Sequence, residues 1–419
     1  LVFDLPVLIS NAEFFGRIGE LSQAGYGPLC LFGCEDHKLW CFMGKPRMVE
    51  LLCTDFPASG SYPSLTTFYP AFSIYERELY EEYGIIPEGH PWLKGVRFPQ
   101  PGSMKLYDFL SSESSALHEV GVGPVHAGVI EPGHFRFICR GEIIEHLEIQ
   151  LGYQHRGLIK QLQDGDIRDK IHLAESIAGD TAIGHGLAYC HAVEELTGIE
   201  AVQEPVRQIA LEMERIAMHL ADLSALCGDI AYIMGQNMFA ALRTTVINTS
   251  LSICGSRFGK RWLTPGGVNF GINALQVKEL AATLHAIAPQ IEDCAAAMFS
   301  DTSVLSRLDD TGKISLKQAM ELGFTGITAR ASGLPGDMRC DFAGTENDDF
   351  VCLTHPAGDV YARSWLRWQE IAQSLRRIHI FLEQIATQDE LYTSPGKPLE
   401  KIELYYLWWK VGGVGSCML

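Results

Sequence analysis

The segment ESIAGDTAIGH (175–185) gathers Glu175, Asp180 and His185 within one short stretch between two helical patterns. Carboxylates and an imidazole can hold, pass and orient protons near neutral pH. Upstream, GPVHAGVIEPGHFRF (123–137) puts His126 and His134 on a loop whose Gly and Pro residues force tight turns. Downstream, CGDIAYIMGQ (227–236) follows a helix C-terminus and holds Asp229. RASGLPGDMR (330–339) supplies Arg330, Asp337 and Arg339. A guanidinium there can receive an anionic group or close a structural ion pair, and spacing does not choose between them.

The elements that must position these residues fall into two groups. In residues 1–100, LCLFG, EDH and KLWCFMG read as a hairpin, and Ile74–Tyr83 as a helix stopped by Gly84 and Pro87. Residues 101–117 are rich in Pro, Gly and Ser and read as a linker. Residues 118–419 open with strands around FRFICRGEIIEHLEIQLGY, turning at Arg140-Gly141. Apolar spacing then predicts helices over about 182–197, 204–227, 236–258, 275–299, 315–322 and 358–387. The fold class is α+β: a small N-terminal α+β domain fused to a mainly helical bundle with a small antiparallel sheet.

Composition narrows the function. A net charge of −18 excludes nucleic acid as a partner, because phosphate neutralisation needs clustered Lys and Arg. No apolar run is long enough to span a bilayer. The chain holds 12 cysteines but no C-x-x-C, and the group Cys30, Cys34, Cys41, Cys53 fits no zinc or iron–sulfur spacing. They read as small buried side chains in a reducing compartment.

Several motifs carry a resemblance. Residues 175–185 are similar to E-x-I-C-G-x-C-x-x-x-H, the first metal-binding motif of nickel–iron hydrogenase large subunits. Glu175, Ile177, Gly179 and His185 match, while Ala178 and Thr181 occupy the two cysteine positions. Neither side chain supplies the thiolate that binds nickel or iron. The second metal motif, D-P-C-x-x-C, is not found in the closing VGGVGSCML. YERELYEEYGIIPEGHPWLKGVRF (75–98) resembles the signature of the small peripheral-arm subunit of respiratory complex I, and its charged helix face and GHP turn suggest a docking surface. GPVHAGVIEPGHFRF and RASGLPGDMR resemble segments shared by group 4 hydrogenases, of the formate hydrogenlyase type, and the complex I quinone-site subunit. The E-x-x-R-x-x-x-H pattern of Glu212, Arg215 and His219 also matches, and reads as packing within the bundle.

The resemblance implies a peripheral subunit on the cytoplasmic face of the membrane. It implies an iron–sulfur small subunit and antiporter-like integral-membrane subunits as partners, and a quinone as acceptor. The chain itself would bind no cofactor, with iron–sulfur clusters on the partner and the nickel–iron centre absent. NAD enters only through the NADH dehydrogenase relationship. By position His134 would be the proton donor, oriented by Asp229, since a carboxylate beside an imidazole raises its pKa. His126, Arg330 and Asp337 would bind substrate; Glu175, Asp180 and His185 would transfer protons. The position where the quinone-site relative carries a catalytic Tyr is Gly179 here. A second reading stays open, in which the chain is a non-catalytic coupling or scaffold subunit.

Overall fold

The computed structural model describes residues 7–45, 48–100, 102–125, 132–163, 170–337, 339 and 350–387. They form two compact units, Leu1–Lys160 and Gln161–Leu419. The architecture is α+β, as the sequence pattern implies.

The first unit opens with β1 (Leu8–Ile9) and α1 (Asn11–Gln23). Ser10 caps α1 by accepting the Glu13 N–H, and Phe14, Ile18 and Leu21 bury one face. β2 (Gly27–Gly33), β3 (Lys38–Lys45) and β4 (Met48–Asp55) follow as an antiparallel meander, with β1 added parallel to β4. β5 (Ser61–Pro63) pairs with β6 (Ile86–Glu88) across α2 (Ser73–Tyr83), which ends on left-handed Gly84.

Four charges of α2 are engaged within the unit, while Glu82 is exposed. Glu76 is fully buried and accepts from the Leu65 and Thr66 N–H groups and the Ser64 and Thr66 hydroxyls. Glu81 accepts the N–H groups of Val96, Arg97 and Phe98 at 2.7–3.0 Å. Arg77 donates to the Lys94 and Gly95 carbonyls, and Glu78 pairs with Arg97 at 2.8 Å. The signature 75–98 is therefore an internal clasp that holds its own loop, rather than a free charged face for docking.

β7 (His118–Val122), β8 (His134–Arg140) and β9 (Ile143–Gln150) make an antiparallel three-stranded sheet. Lys94 reaches Glu148 at 2.7 Å, and Glu148 also accepts the Leu110 N–H at 2.9 Å. Gln150 donates to the Met104 carbonyl. These bonds fasten residues 102–117 to the polar side of the sheet, and all three strands fall in the first compact unit.

The second unit is helical. After α3 (Leu158–Gln163), which straddles the boundary, come α4 (Ile171–Ala174), α5 (Ala182–Thr197), α6 (Glu204–Asp229) and α7 (Ile233–Cys254). A short hairpin of β10 (Leu263–Thr264) and β11 (Gly267–Val268) precedes α8 (Ala274–Ser300). α9 (Thr302–Leu308), α10 (Leu316–Glu321), α11 (Gly326–Ala331) and α12 (Val360–Thr387) complete it. Apolar residues of α5–α8 and α12, with Trp262 fully buried among them, form one core. Arg207, wholly buried, ties the turn between β10 and β11, Pro265–Gly266, to the bundle. It pairs with Glu194 and donates to the Thr264 and Gly267 carbonyls, while Glu194 also accepts the Gly266 N–H.

Candidate functional site

Residues 175–185 run from the end of α4 into the first turn of α5. Glu175 is buried and accepts the Arg261 N–H at 2.7 Å. Arg261 has a positive φ of 63°, an uncommon backbone conformation for a residue with a side chain, and this bond helps fix it. Burial pushes the Glu175 carboxyl up, against the opposing pull of that N–H, Lys260 and His172. Thr181 precedes α5, and its carbonyl accepts from His185 Nδ1 at 2.8 Å, with the Thr181 hydroxyl 3.3 Å from the same nitrogen. That contact makes Nδ1 the donor and leaves Nε2 as the acceptor in the neutral ring. Asp180 is exposed and faces Arg243 of α7 at 3.5 Å. Gly179 is exposed, with open space where a side chain would start.

Asp180 borders a small cleft lined also by Glu214, Arg243, Arg257, Phe258 and Trp262. Glu214 projects from α6 and accepts the Ile183 and Gly184 N–H groups at 2.6 and 2.9 Å. Thr181 leaves the α5 N-terminus without a side-chain cap, so Glu214 supplies from another helix what a local residue does not. Burial pushes the Glu214 carboxyl up to about 8. The two N–H groups and Arg215 act against that shift, and Asp180 adds to it.

A second constellation lies where α6, α11 and α12 meet. Glu370 accepts from Arg330 Nε at 2.9 Å and from His219 Nε2 at 2.9 Å, with Arg215 at 3.4 Å. Glu212 meets Arg339 at 3.1 Å, Arg377 at 3.0 Å and the Ser374 hydroxyl at 2.6 Å. Asp337 holds Arg339 through both oxygens, at 2.9 and 2.7 Å. Arg215 sits between the two glutamates, 3.5 Å from Glu212. Burial alone would raise all three carboxyls. The guanidinium groups, with His219 at Glu370 and Ser374 at Glu212, overcome it and hold them below the usual carboxylate range. Burial drives His219 the other way, down to about 4, so the ring is neutral at pH 7. Its Nε2–H donates to Glu370, and its Nδ1 accepts from Arg367, which also pairs with Asp222.

The remaining residues singled out in the sequence separate in role. Arg330 and Asp337 are buried and committed, Arg330 to Glu370 and the Gly336 carbonyl, Asp337 to Arg339. That is the structural ion pair of the two alternatives for this segment. His134 opens β8 in the first unit. Its Nδ1 donates to the Gly123 carbonyl at 3.2 Å, and its ring meets Phe109 edge-on at 5.1 Å. Asp229 is the exposed last residue of α6 in the second unit. His126 lies outside the described residues. Sequence reasoning placed Glu212, Arg215 and His219 in helix packing but missed Glu370, whose partners are more than a hundred residues away in the chain for His219 and Arg215. It also assigned no task to Glu214, whose partners are backbone N–H groups that spacing does not reveal.

A nickel–iron centre needs thiolates, and this segment presents the Ala178 methyl and a Thr181 hydroxyl already engaged with His185. Among the described residues, no three His, Cys, Asp or Glu side chains converge as a metal site. The donor set in 175–185 therefore does not fit that centre. VGGVGSCML lies outside the described residues.

Residues 41–102 match the family of the respiratory-chain NADH dehydrogenase 30 Kd subunit, and residues 229–401 that of the 49 Kd subunit. The membrane-bound hydrogenase subunit alpha of Pyrococcus furiosus is 31% identical over 281 residues, covering 64% of this chain and 65% of that one. Hydrogenase-4 component G of Escherichia coli is 26% identical over 406 residues, covering 91% of this chain and 68% of that one. The chain thus spans about two thirds of the length of these relatives. A chain of the membrane-bound sulfane sulfur reductase, an archaeal respiratory membrane complex, superposes with a TM-score of 0.62 at 23% identity. It covers 70% of this chain and 78% of that one, and shows the shared fold. The chain thus carries a 30 Kd-type and a 49 Kd-type domain of the respiratory-chain NADH dehydrogenase in one polypeptide, and among its relatives are subunits of membrane-bound hydrogenases.

Proposed function

We propose that this chain is a peripheral subunit of a membrane-bound respiratory complex, and that it serves electron transfer to a quinone-like acceptor without a nickel–iron centre. The observation that carries this reading is the 175–185 segment. The family fold is kept, while Ala178 and Thr181 replace thiolates and the surrounding polar groups satisfy one another. No described helix is long and apolar enough to cross a membrane, which suits a peripheral place. An iron–sulfur partner would bring electrons, and antiporter-like subunits would form the membrane part. NAD would be handled elsewhere in such a complex.

Within this reading His134 is the proton donor. Gly123 and Phe109 fix its ring with Nδ1–H on the Gly123 carbonyl, so Nε2 first takes up a proton from solvent and the imidazolium then passes it to the acceptor. The orienting role that the sequence resemblance gives Asp229, and the substrate-binding role it gives His126, belong to the same reading. Asp180, which lines the cleft, and Glu175 and His185 on the same segment supply proton transfer in this reading. Arg330 and Asp337 support the site through the buried network rather than by touching substrate.

His134→Ala in the purified complex is expected to lower quinone reduction by on the order of 100-fold. Subunit composition should stay unchanged. Unaltered turnover in that variant would remove His134 from the mechanism.

One observation favours the alternative, a coupling or scaffold subunit. The three buried carboxylates and their guanidinium partners tie α6, α11 and α12 into a single polar unit that could transmit strain. A complex that assembles normally but reduces no acceptor would support that reading.

A further inference from the structure

We propose that Glu214 is a proton-binding site that couples uptake of a proton from the cleft to the grip on the first turn of α5. The geometry comes first. Its carboxylate leaves α6, lines the cleft, and accepts two successive backbone N–H groups, one on each oxygen. Two oxygens accepting two N–H donors is the pattern of an ionised carboxylate at a helix N-terminus, where the helix dipole favours negative charge. Burial works in the opposite direction and favours the neutral acid, bringing the group to about 8. These opposed forces leave both forms accessible near neutral pH.

The charged surroundings are mixed. Arg215 on α6 favours the anion and Asp180, ahead of α5, disfavours it. Arg243 of α7 and Arg257 of the loop after α7 line the same cleft, and Arg243 also faces Asp180. A proton from solvent enters on a Glu214 oxygen, and that oxygen then becomes a hydroxyl. A hydroxyl oxygen is a far weaker acceptor for an N–H than a carboxylate oxygen, so one of the two bonds to α5 weakens. Loss of the proton to solvent restores both. Because Ile183 and Gly184 directly follow Thr181 and Ala182, the 175–185 segment feels each change. The inference concerns this chain alone and stands whatever the acceptor is.

The test is a pH titration of the full chain by difference infrared spectroscopy, read at the protonated-carboxyl C=O band that shifts in D2O. Hydrogen exchange of the α5 first turn, corrected for intrinsic pH dependence, is followed in parallel. The wild type should lose the band as pH rises through about 8, with exchange at Ile183 and Gly184 slowing over the same range. Glu214→Gln should abolish both changes. Asp180→Asn, at an exposed position, should move both midpoints to lower pH and keeps the test decisive if the Gln variant misfolds. A band unaffected by Glu214→Gln, a midpoint unmoved in Asp180→Asn, or exchange that ignores the titration would each overturn the proposal.

Discussion

Glu370→Ala is expected to destabilise the helical unit by about 3–5 kcal/mol. The carboxylate is almost wholly buried and is the shared partner of Arg330, His219 and Arg215. Its removal leaves guanidinium charge in the interior without compensation. Removing one partner of a buried pair costs much more than the pair itself contributes, since the desolvation of the survivor is no longer offset. Glu370→Gln should cost less, because the amide oxygen still accepts from Arg330. Denaturant unfolding followed by far-ultraviolet circular dichroism checks this. Equal stability of wild type and the Ala variant would mean the network is not formed.

The second large effect belongs to the other unit. Glu76→Ala removes the acceptor for two backbone N–H groups and two hydroxyls in a wholly buried place. The expected loss is about 2–5 kcal/mol, since charge-assisted bonds vanish and the stranded N–H groups lose solvation as well. Limited proteolysis should show new cleavage near residues 60–70, with the helical unit still protected. Protection lost in both units at once would contradict the division into two compact bodies.

The two kinds of perturbed carboxyl oppose each other in their pH dependence. Glu212, Asp337 and Glu370 are held below the ordinary range, so their contribution is present above it and lost as pH falls through the depressed values. Glu214 is raised, so its contribution is present below the ordinary value of 4.5 and lost as pH rises through about 8. Neutralising Glu214 as Gln should therefore flatten the alkaline limb of a stability–pH curve and leave the acid limb in place.

The long helices were legible because their apolar residues repeat with helical period, and left-handed glycines end α5 and α7. α5 occupies the expected 182–197, and α6, α8 and α12 lie within a few residues of the spacing. α7 begins and ends earlier than expected, at Ile233 and Cys254, where Gly255 takes a left-handed cap. α1 went unread although Ser10, Phe14, Ile18 and Leu21 carry its signal, because Gly16 and Gly19 dilute a short pattern. The short α9 and α11 went unread as well, although the equally short α10 was expected at 315–322. The site was legible as a list of chemical types and not as a geometry. That Glu175 would be spent on the Arg261 N–H, or Arg330 on Glu370, depends on contacts between distant parts of the chain.

The most direct measurement is nickel content of the purified complex, determined alongside its rate of quinone reduction. The account predicts quinone reduction without stoichiometric nickel. Nickel bound at one equivalent per chain, lost together with activity on chelation, would contradict it.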